Sequence, residues 1–590
     1  MLRNTILTLL AASAVLAANA VPAKRGIHNI TQPDGTTLPV LLVGDEHRHI
    51  YLTPDSLPIT PGADGFMEYG RLDGDRLMPT GVRAKADAAL RTAAERALLA
   101  GIDAREVRRT ALSRPAAKAR HRAIAQKGIG RFDDSFPVVG DVKALVILVN
   151  YKDVKFSTPN AAQYFSDMLM KEGFNDYNGT GSARDYFVEN SMGAFRPQFD
   201  CYGPVELPQN RSYYGGNDAY GDDKAAEDMI IHAVQLLNDD VDFSQYDTDG
   251  DGYVDNVFVF YAGTGEASGG PDSSVWPHAY YIASGAGKWC MADGVIFDRY
   301  ACSNEWEGSR PDGIGTFVHE FSHVMGLPDL YDTENESNSV TPGSWSVLDY
   351  GPYNNNGCTP PAYSAYERNA LGWNEPIVLD GPANITLEEI IGSNTSCLIP
   401  TEKSSEFFLL ENRQKTGWDA YLPGHGMLVW HIDYAARTWQ QNAVNNNQQH
   451  QYVDIVEAGG RANSKSRSIM AQYPFPGTRN KTSFTSTTTP ALVSWAGKAI
   501  DLPITDITET NGKISFKVAG GMSGIADIAA SDATPLRVEG RTLLCEGEDI
   551  SVFDTAGRFV AGGKDAVELP APGLYLVRAA GTTTKLAVKR

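Results

Sequence analysis

The hydrophobic pattern changes character several times along the chain, and each change predicts a different kind of element. An apolar run over residues 6–16 follows Arg3 and ends in Ala18-Asn19-Ala20, which is the charge, length and small-residue pattern of a secretory signal over residues 1–20. Short strand-like runs such as residues 40–43 come next, broken by Asp34-Gly35, Asp64-Gly65 and Asp73-Gly74 turns. From Gly81 to Arg131 the chain is Ala- and Arg-rich, with 13 basic residues against 4 acidic. That stretch predicts a helical or extended connector open to proteases, ending in Lys127-Gly-Ile-Gly-Arg131. A strand and helix alternation then begins. Residues 144–149 form a continuous apolar run of buried-strand length, residues 161–170 read as a helix, and residues 257–261 as a second interior strand. Between them, Ala226, Met229, Ile230, Ala233, Val234 and Leu237 share one helical face. Beyond residue 375 the pattern turns to β, with strands over 407–410 and 427–430 among Gly, Pro and Asn turns, predicting a β-sandwich. Past a Gly-rich linker at 519–524, runs at 550–553, 574–577 and 585–588 predict a second, smaller sandwich.

The expected organisation is therefore a signal (1–20), a pro-segment (21–135), an α/β (α+β) domain (136–380), a β-sandwich (381–518) and a C-terminal β-sandwich (525–590). A length of 590 residues with 42% hydrophobic and 21% charged positions supports several globular domains. No stretch after residue 20 reaches the 18 or so consecutive apolar residues of a membrane helix. The net charge of −21 is uneven: residues 21–135 hold 18 basic against 14 acidic residues, so the excess of acid lies downstream. Such an acidic body repels nucleic acid and suits an exported protein that binds divalent cations. Six cysteines (201, 290, 302, 358, 397 and 545) fit an oxidising compartment; Cys290 with Cys302 is the most local candidate pair, and the pairing stays open.

The chemistry concentrates in His319-Glu320-Phe-Ser-His323-Val-Met-Gly326-Leu-Pro-Asp329. Histidines four apart lie on one helical face, so both imidazoles can reach one zinc ion, with Glu320 beside them to take a proton from the attacking water. Gly326 can adopt the left-handed conformation that ends the helix and swings Asp329 toward the metal as third ligand. Asp332 and Glu334 are alternatives for that place. With eleven histidines, HExxH should arise by accident only about 0.01 times in such a chain, so coincidence is a poor account of it. Three protein ligands leave a position for water, the arrangement of catalytic zinc. A second constellation, Asp247, Asp249, Asp251 and Asp255 with Gly252 at the sixth position, has the spacing of a calcium loop, and Tyr253 stands at the seventh position, where a backbone carbonyl serves. Phe258 replaces the twelfth-position Glu, so the loop is not a full EF-hand.

Ser346-Val-Leu348-Asp-Tyr350-Gly351 resembles the turn beneath the metal of metzincin-like zinc peptidases, with Leu348 in place of Met and Tyr350 as the implied oxyanion partner. More widely, Ser182-Ala-Arg184-Asp185-Tyr186, the extended HEFSHVMGLPDLYD, Glu411-Asn-Arg413 and Val429-Trp-His431-Ile-Asp433 resemble the immune inhibitor A family of secreted bacterial metallopeptidases. That resemblance spans roughly residues 136–518. It implies a metzincin-like catalytic domain followed by a β-sandwich, zinc and calcium as cofactors, synthesis as a zymogen, and protein or peptide substrates. It also implies that Glu411, Arg413 and His431 hold the sandwich against the catalytic domain. The C-terminal segment, with Val552-Phe-Asp554, residues 569–577 and a basic end, resembles the sorting domain of type IX secretion substrates. This implies outer-membrane secretion machinery as a partner and an extracellular or cell-surface location. The competing reading is a catalytically inactive adhesin on a peptidase-like scaffold. For latency, Asp45 is a candidate zinc-blocking carboxylate.

Overall fold

The computed structural model describes residues 19–20, 22–24, 26–44, 49–112 and 130–521, apart from 63, 75, 219–220, 335–338 and 463–464. It also describes residues 537–588 apart from 540, 554–558, 572 and 580–581. The first eighteen residues of the expected signal, Asp45 and residues 113–129 of the basic connector lie outside the described residues. The chain divides into two compact units at Gly521/Met522.

At the centre of the first unit, Phe195–Glu206, Gly140–Asn150, Val257–Thr264 and Arg299–Glu307 lie side by side as parallel strands. His278–Tyr281 adds antiparallel to the outer side of Arg299–Glu307, and Asn19–Ala20 pairs antiparallel with His278–Tyr281. The unbroken apolar runs follow from coverage of both faces. Val146, Leu148, Phe258 and Phe260 point into a core shared with helices Ala161–Met170, Ala183–Asn190 and Ile314–Val324. Their neighbours Leu145, Ile147, Val257 and Val259 point into a second core under helix Ala226–Leu237.

Downstream, Ile377–Val378, Ser396–Pro400, Glu406–Arg413, Gly426–Asp433 and Val453–Ile455 form a five-stranded sheet. Ala383–Leu387, Lys513–Val518 and Ile504–Thr510 form a three-stranded one. Phe408, Leu410, Met427 and Val429 face the core shared between these two sheets. Alternate residues Leu409, Leu428 and Trp430 belong instead to the core around helix Ile314–Val324. The five-stranded sheet is thus covered on both faces, which is why Glu406–Arg413 and Gly426–Asp433 are buried at every position. Arg413 anchors it: its guanidinium grips Asp419 at 2.6 Å and donates to the Ala362 carbonyl at 2.9 Å. Glu411 accepts from the Ala365 amide at 2.7 Å. His431, implied to share that task, differs: it bonds Glu406 at 2.8 Å and stacks between Phe408 and Trp495, inside the β region.

Near the other end, six strands from Ile27–Thr31 to Arg76–Arg83 make a meander in chain order, followed by helices Ala93–Leu99 and Ala104–Leu112. Its core takes in Ala267 and Trp276 from the region of the central sheet. The expected boundary at residue 136 is not where packing changes: Arg131 donates to the Met325 carbonyl at 2.7 Å and Phe132 to the Gly326 carbonyl at 2.8 Å. None of the six cysteines is disulfide-bonded. Cys302, candidate partner of Cys290, is buried on Arg299–Glu307 with its thiol toward the His278 ring.

In the second unit, Arg537–Glu539, Thr542–Phe553, Phe559–Glu568, Gly573–Ala579 and Thr582–Val588 form one connected sheet where the sequence predicts a sandwich. The twelve-residue strand Thr542–Phe553 changes partners along its length, which ties all the described strands into a single hydrogen-bonded network.

The C-terminus of helix Ile314–Val324 is capped by charge. Arg299 donates to the Val324 carbonyl at 2.9 Å, opposite the partial negative charge of the helix end. Arg299 also pairs with Asp133, which accepts from the Tyr281 hydroxyl at 3.0 Å. Burial raises the Asp133 carboxyl, but Arg299 outweighs it and holds it at about 2. Because that folded value lies below the unfolded one, the stabilisation is present above about pH 4 and is lost as pH falls toward 2. Arg299→Leu should lower unfolding free energy by about 2 kcal/mol at neutral pH in urea titration, since it leaves a half-buried carboxylate without its charge partner. An unchanged midpoint would show that the pair carries no net stability.

Candidate metal centre

Helix Ile314–Val324 is buried along its whole length, so its polar residues must find partners inside the protein. His319 and His323 do so in the same way. Each uses Nδ1 toward a backbone carbonyl, His319 to Val347 and His323 to Leu327, both at 2.7 Å. A carbonyl can only accept, so Nδ1 carries the hydrogen and the lone pair of each neutral ring lies on Nε2. The two Nε2 atoms are 3.1 Å apart.

The chain then turns sharply at Gly326, whose φ is +91°; a Cβ there would lie 1.8 Å from the Asp133 carbonyl oxygen, so the turn requires glycine. The turn brings Asp329 back, and its Oδ1 lies 3.2 Å from each of the two Nε2 atoms. Burial alone pushes the Asp329 carboxyl up, whereas positive charge on the facing imidazoles would outweigh it and lower it, and a cation at the centre would act in the same direction.

These three atoms form one of the two groups of possible metal ligands among the described residues. Three lone pairs converge on one point in a buried site, and Asp329 Oδ1 accepts no hydrogen bond there. Such an arrangement is repulsive unless a cation occupies the centre. Ligands about 2.0–2.1 Å from a tetrahedral zinc stand roughly 3.3 Å apart, close to the spacings found here, so the residues fit that ion.

The alternatives to Asp329 face elsewhere. Asp332 accepts from Ser339 and from the Glu334 amide, and burial raises its carboxyl to about 6. Glu334 is exposed. Glu320 is fully buried next to His319. The segment Ser346–Tyr350 packs beneath: Leu348 is buried, and its carbonyl accepts from the Leu330 amide at 2.8 Å while Val347 holds His319. Tyr350 follows at the start of the 3-10 segment Gly351–Gly357, partly exposed, with the Lys465 ammonium 5.6 Å from its ring centre.

The sequence pattern also missed supports that now stand out. The carbonyls of Val347 and Leu327 carry no sequence signal at all. Asn442, Asn445 and Asn446, from far down the chain, bond to the Asp329–Thr333 segment. The visible signal there was an Asn-rich stretch, which reads simply as turns.

The other group of ligand atoms is Asp247, Asp249 and Asp255. Asp251 is turned within the loop, accepting from the Tyr253 amide at 2.8 Å, and the Tyr253 side chain is exposed. Asp255 pairs with Thr248 and is raised to about 6 by burial, with Asp249 and Asp247 adding repulsion that a cation would relieve.

Residues 138–374, which hold both groups, match the family model described as immune inhibitor A peptidase M6, catalytic domain. Immune inhibitor A of Bacillus thuringiensis subsp. alesti is 25% identical over 268 residues, 38% of this chain and 39% of that protein. Pre-pro-metalloprotease PrtV of Vibrio cholerae serotype O1 (strain M66-2) is 23% identical over 271 residues, 39% of this chain and 29% of that protein. The chain spans well under half the length of these curated relatives. The segment that brings His319, His323 and Asp329 together is therefore similar to the catalytic domain of peptidase M6 metallopeptidases.

Proposed function

We propose that this chain is a secreted zinc endopeptidase that cuts extracellular proteins and is made as a zymogen. The observation that carries the reading is the convergence of His319 Nε2, His323 Nε2 and Asp329 Oδ1 on one buried point. When bound, zinc supplies a Lewis acid that polarises the scissile carbonyl and acidifies the attacking water. The protein's own groups do the rest. His319 and His323 are held in one tautomer by Val347 and Leu327, so they offer lone pairs without rearrangement. Glu320 takes the proton of the attacking water and passes it to the leaving nitrogen. Tyr350, at the turn beneath the ligands, donates its phenolic hydrogen to the developing oxyanion. The metzincin-like fold, calcium at Asp247, Asp249, Asp251, Tyr253 and Asp255, and export through the C-terminal unit belong to the same reading.

Latency is supported by where the N-terminal segment lies. The Pro22 carbonyl accepts from the Tyr353 hydroxyl at 2.7 Å, and Tyr353 is close enough to Glu320 to feel its charge. Lys24 pairs with Glu307, while His49 pairs with buried Glu266 at 2.9 Å and stacks on Trp276. In this reading the pro-segment packs onto the peptidase region through Pro22, Lys24 and His49, and cleavage in the basic connector frees it.

Three outcomes test the reading. Glu320→Gln should lower casein cleavage by about 10²–10⁴-fold with zinc content unchanged, as loss of the proton carrier requires; a variant as active as wild type removes Glu320 from the mechanism. Intact chain should be inert toward casein and gain activity once trypsin cuts within residues 113–131, whereas equal activity before and after would end the zymogen assignment. Added calcium at 100 times its Kd should stabilise wild type by about 2.7 kcal/mol in thermal melts and leave Asp249→Ala unmoved. A wild-type melt indifferent to calcium would argue that the acidic loop is merely solvated.

A further inference from the structure

Of the three ligand residues, only Asp329 comes from outside the helix, so something other than helical geometry must aim it. The two oxygens of its carboxylate have different surroundings. Oδ1 faces the histidines and accepts no hydrogen bond. Oδ2 accepts from the Asn442 side-chain nitrogen at 2.6 Å. The same amide turns its oxygen to the Asp329 backbone N–H at 2.8 Å. The orientation of the amide is unambiguous, because a backbone N–H can only donate and a carboxylate only accept.

We propose that Asn442 is a positioning residue for the metal ligand, and that the β region downstream of the peptidase M6 match is thereby part of the metal centre. This rests on the zinc peptidase reading above. By holding both the backbone and Oδ2 of Asp329, the amide locks the carboxylate rotamer and leaves Oδ1 as the oxygen presented with the two Nε2 atoms. Partners that orient a ligand in this way commonly set metal affinity.

Three features make Asn442 fit for the task. It is 2% exposed, so water does not compete for its hydrogen bonds. Its φ of +49° lies in the left-handed region, which Asn tolerates better than most residues. Its loop is itself pinned: the Asn442 carbonyl accepts from the Thr333 hydroxyl at 2.8 Å, and Asn445 bonds the Leu330 and Val453 carbonyls at 2.8 Å each. Residue 442 lies outside the matched span 138–374. The clamp therefore ties the ligand to a segment between two strands of the five-stranded sheet, Gly426–Asp433 and Val453–Ile455.

The test separates aiming from general stability. Asn442→Gly keeps the left-handed backbone without strain and removes only the amide. Asn446→Ala serves as a control from the same loop, because Asn446 accepts from the Thr333 amide at 3.0 Å and touches no ligand. Zinc affinity of the full chain is measured by competition with a chromophoric chelator, together with the visible spectrum of the cobalt-substituted protein and the urea midpoint of the metal-free chain. Asn442→Gly should weaken zinc binding by about 10–100-fold and change the cobalt spectrum. Asn446→Ala should leave both near wild type even if it lowers the urea midpoint as much. Unchanged zinc affinity and cobalt spectrum in a folded Asn442→Gly would overturn the proposal, as would an equal loss of affinity in Asn446→Ala. A wild-type chain that binds no zinc would instead sink the peptidase reading on which it rests.

Discussion

Three lone pairs pressed together in a dry interior are the constraint around which this molecule is arranged. His319, His323 and Asp329 would repel one another without a cation between them, so the fold has to aim each of them at the same point. The force that does so is distributed. Backbone carbonyls fix both imidazoles, an invaginated glycine turn returns the chain, and two arginines satisfy carbonyls at the helix end. Polar groups this deeply buried are tolerated only when nearly every other hydrogen-bonding demand is met.

That constraint explains why the β region is not a loosely tethered appendage. Its five-stranded sheet is covered on one side by the core around helix Ile314–Val324 and on the other by three strands, so Glu406–Arg413 and Gly426–Asp433 alternate between two hydrophobic environments. Arg413 and Glu411 fasten the sheet to residues 362–365, and the loop between its last two strands reaches the ligand segment. Packing and chemistry are served by the same surface.

The N-terminal meander meets the central sheet at Trp276 and Ala267, residues of the loop that leads into the edge strand. A sheet edge presents unpaired backbone groups, and pairing them with another segment of the same chain protects the edge while occupying it. In this structure that segment is Asn19–Ala20, paired with His278–Tyr281.

Much was readable from residues alone. The interior strands at 144–149 and 257–261, the helical face from Ala226 to Leu237, the HExxH helix and its glycine stop all rest on local periodicity and backbone sterics, which a linear pattern encodes directly. The glycine stop also pointed to Asp329, while Asp332 and Glu334 stayed open as alternatives because three carboxylates within six residues differ only in where a turn points them. The two facing β sheets downstream were likewise expected, whereas the burial of the five-stranded one on its second face depends on packing against a distant part of the chain. Cys290 and Cys302 looked pairable by proximity in sequence, yet lie on different strands with the second turned into a core. The sequence by itself determined which residue types could hold and work a metal, because chemistry and helical spacing are local. Only the tertiary structure places Asp329 Oδ1 beside the two imidazoles and seats its Oδ2 on Asn442, because that contact comes from an amide 113 residues away along the chain, beyond the reach of any local pattern.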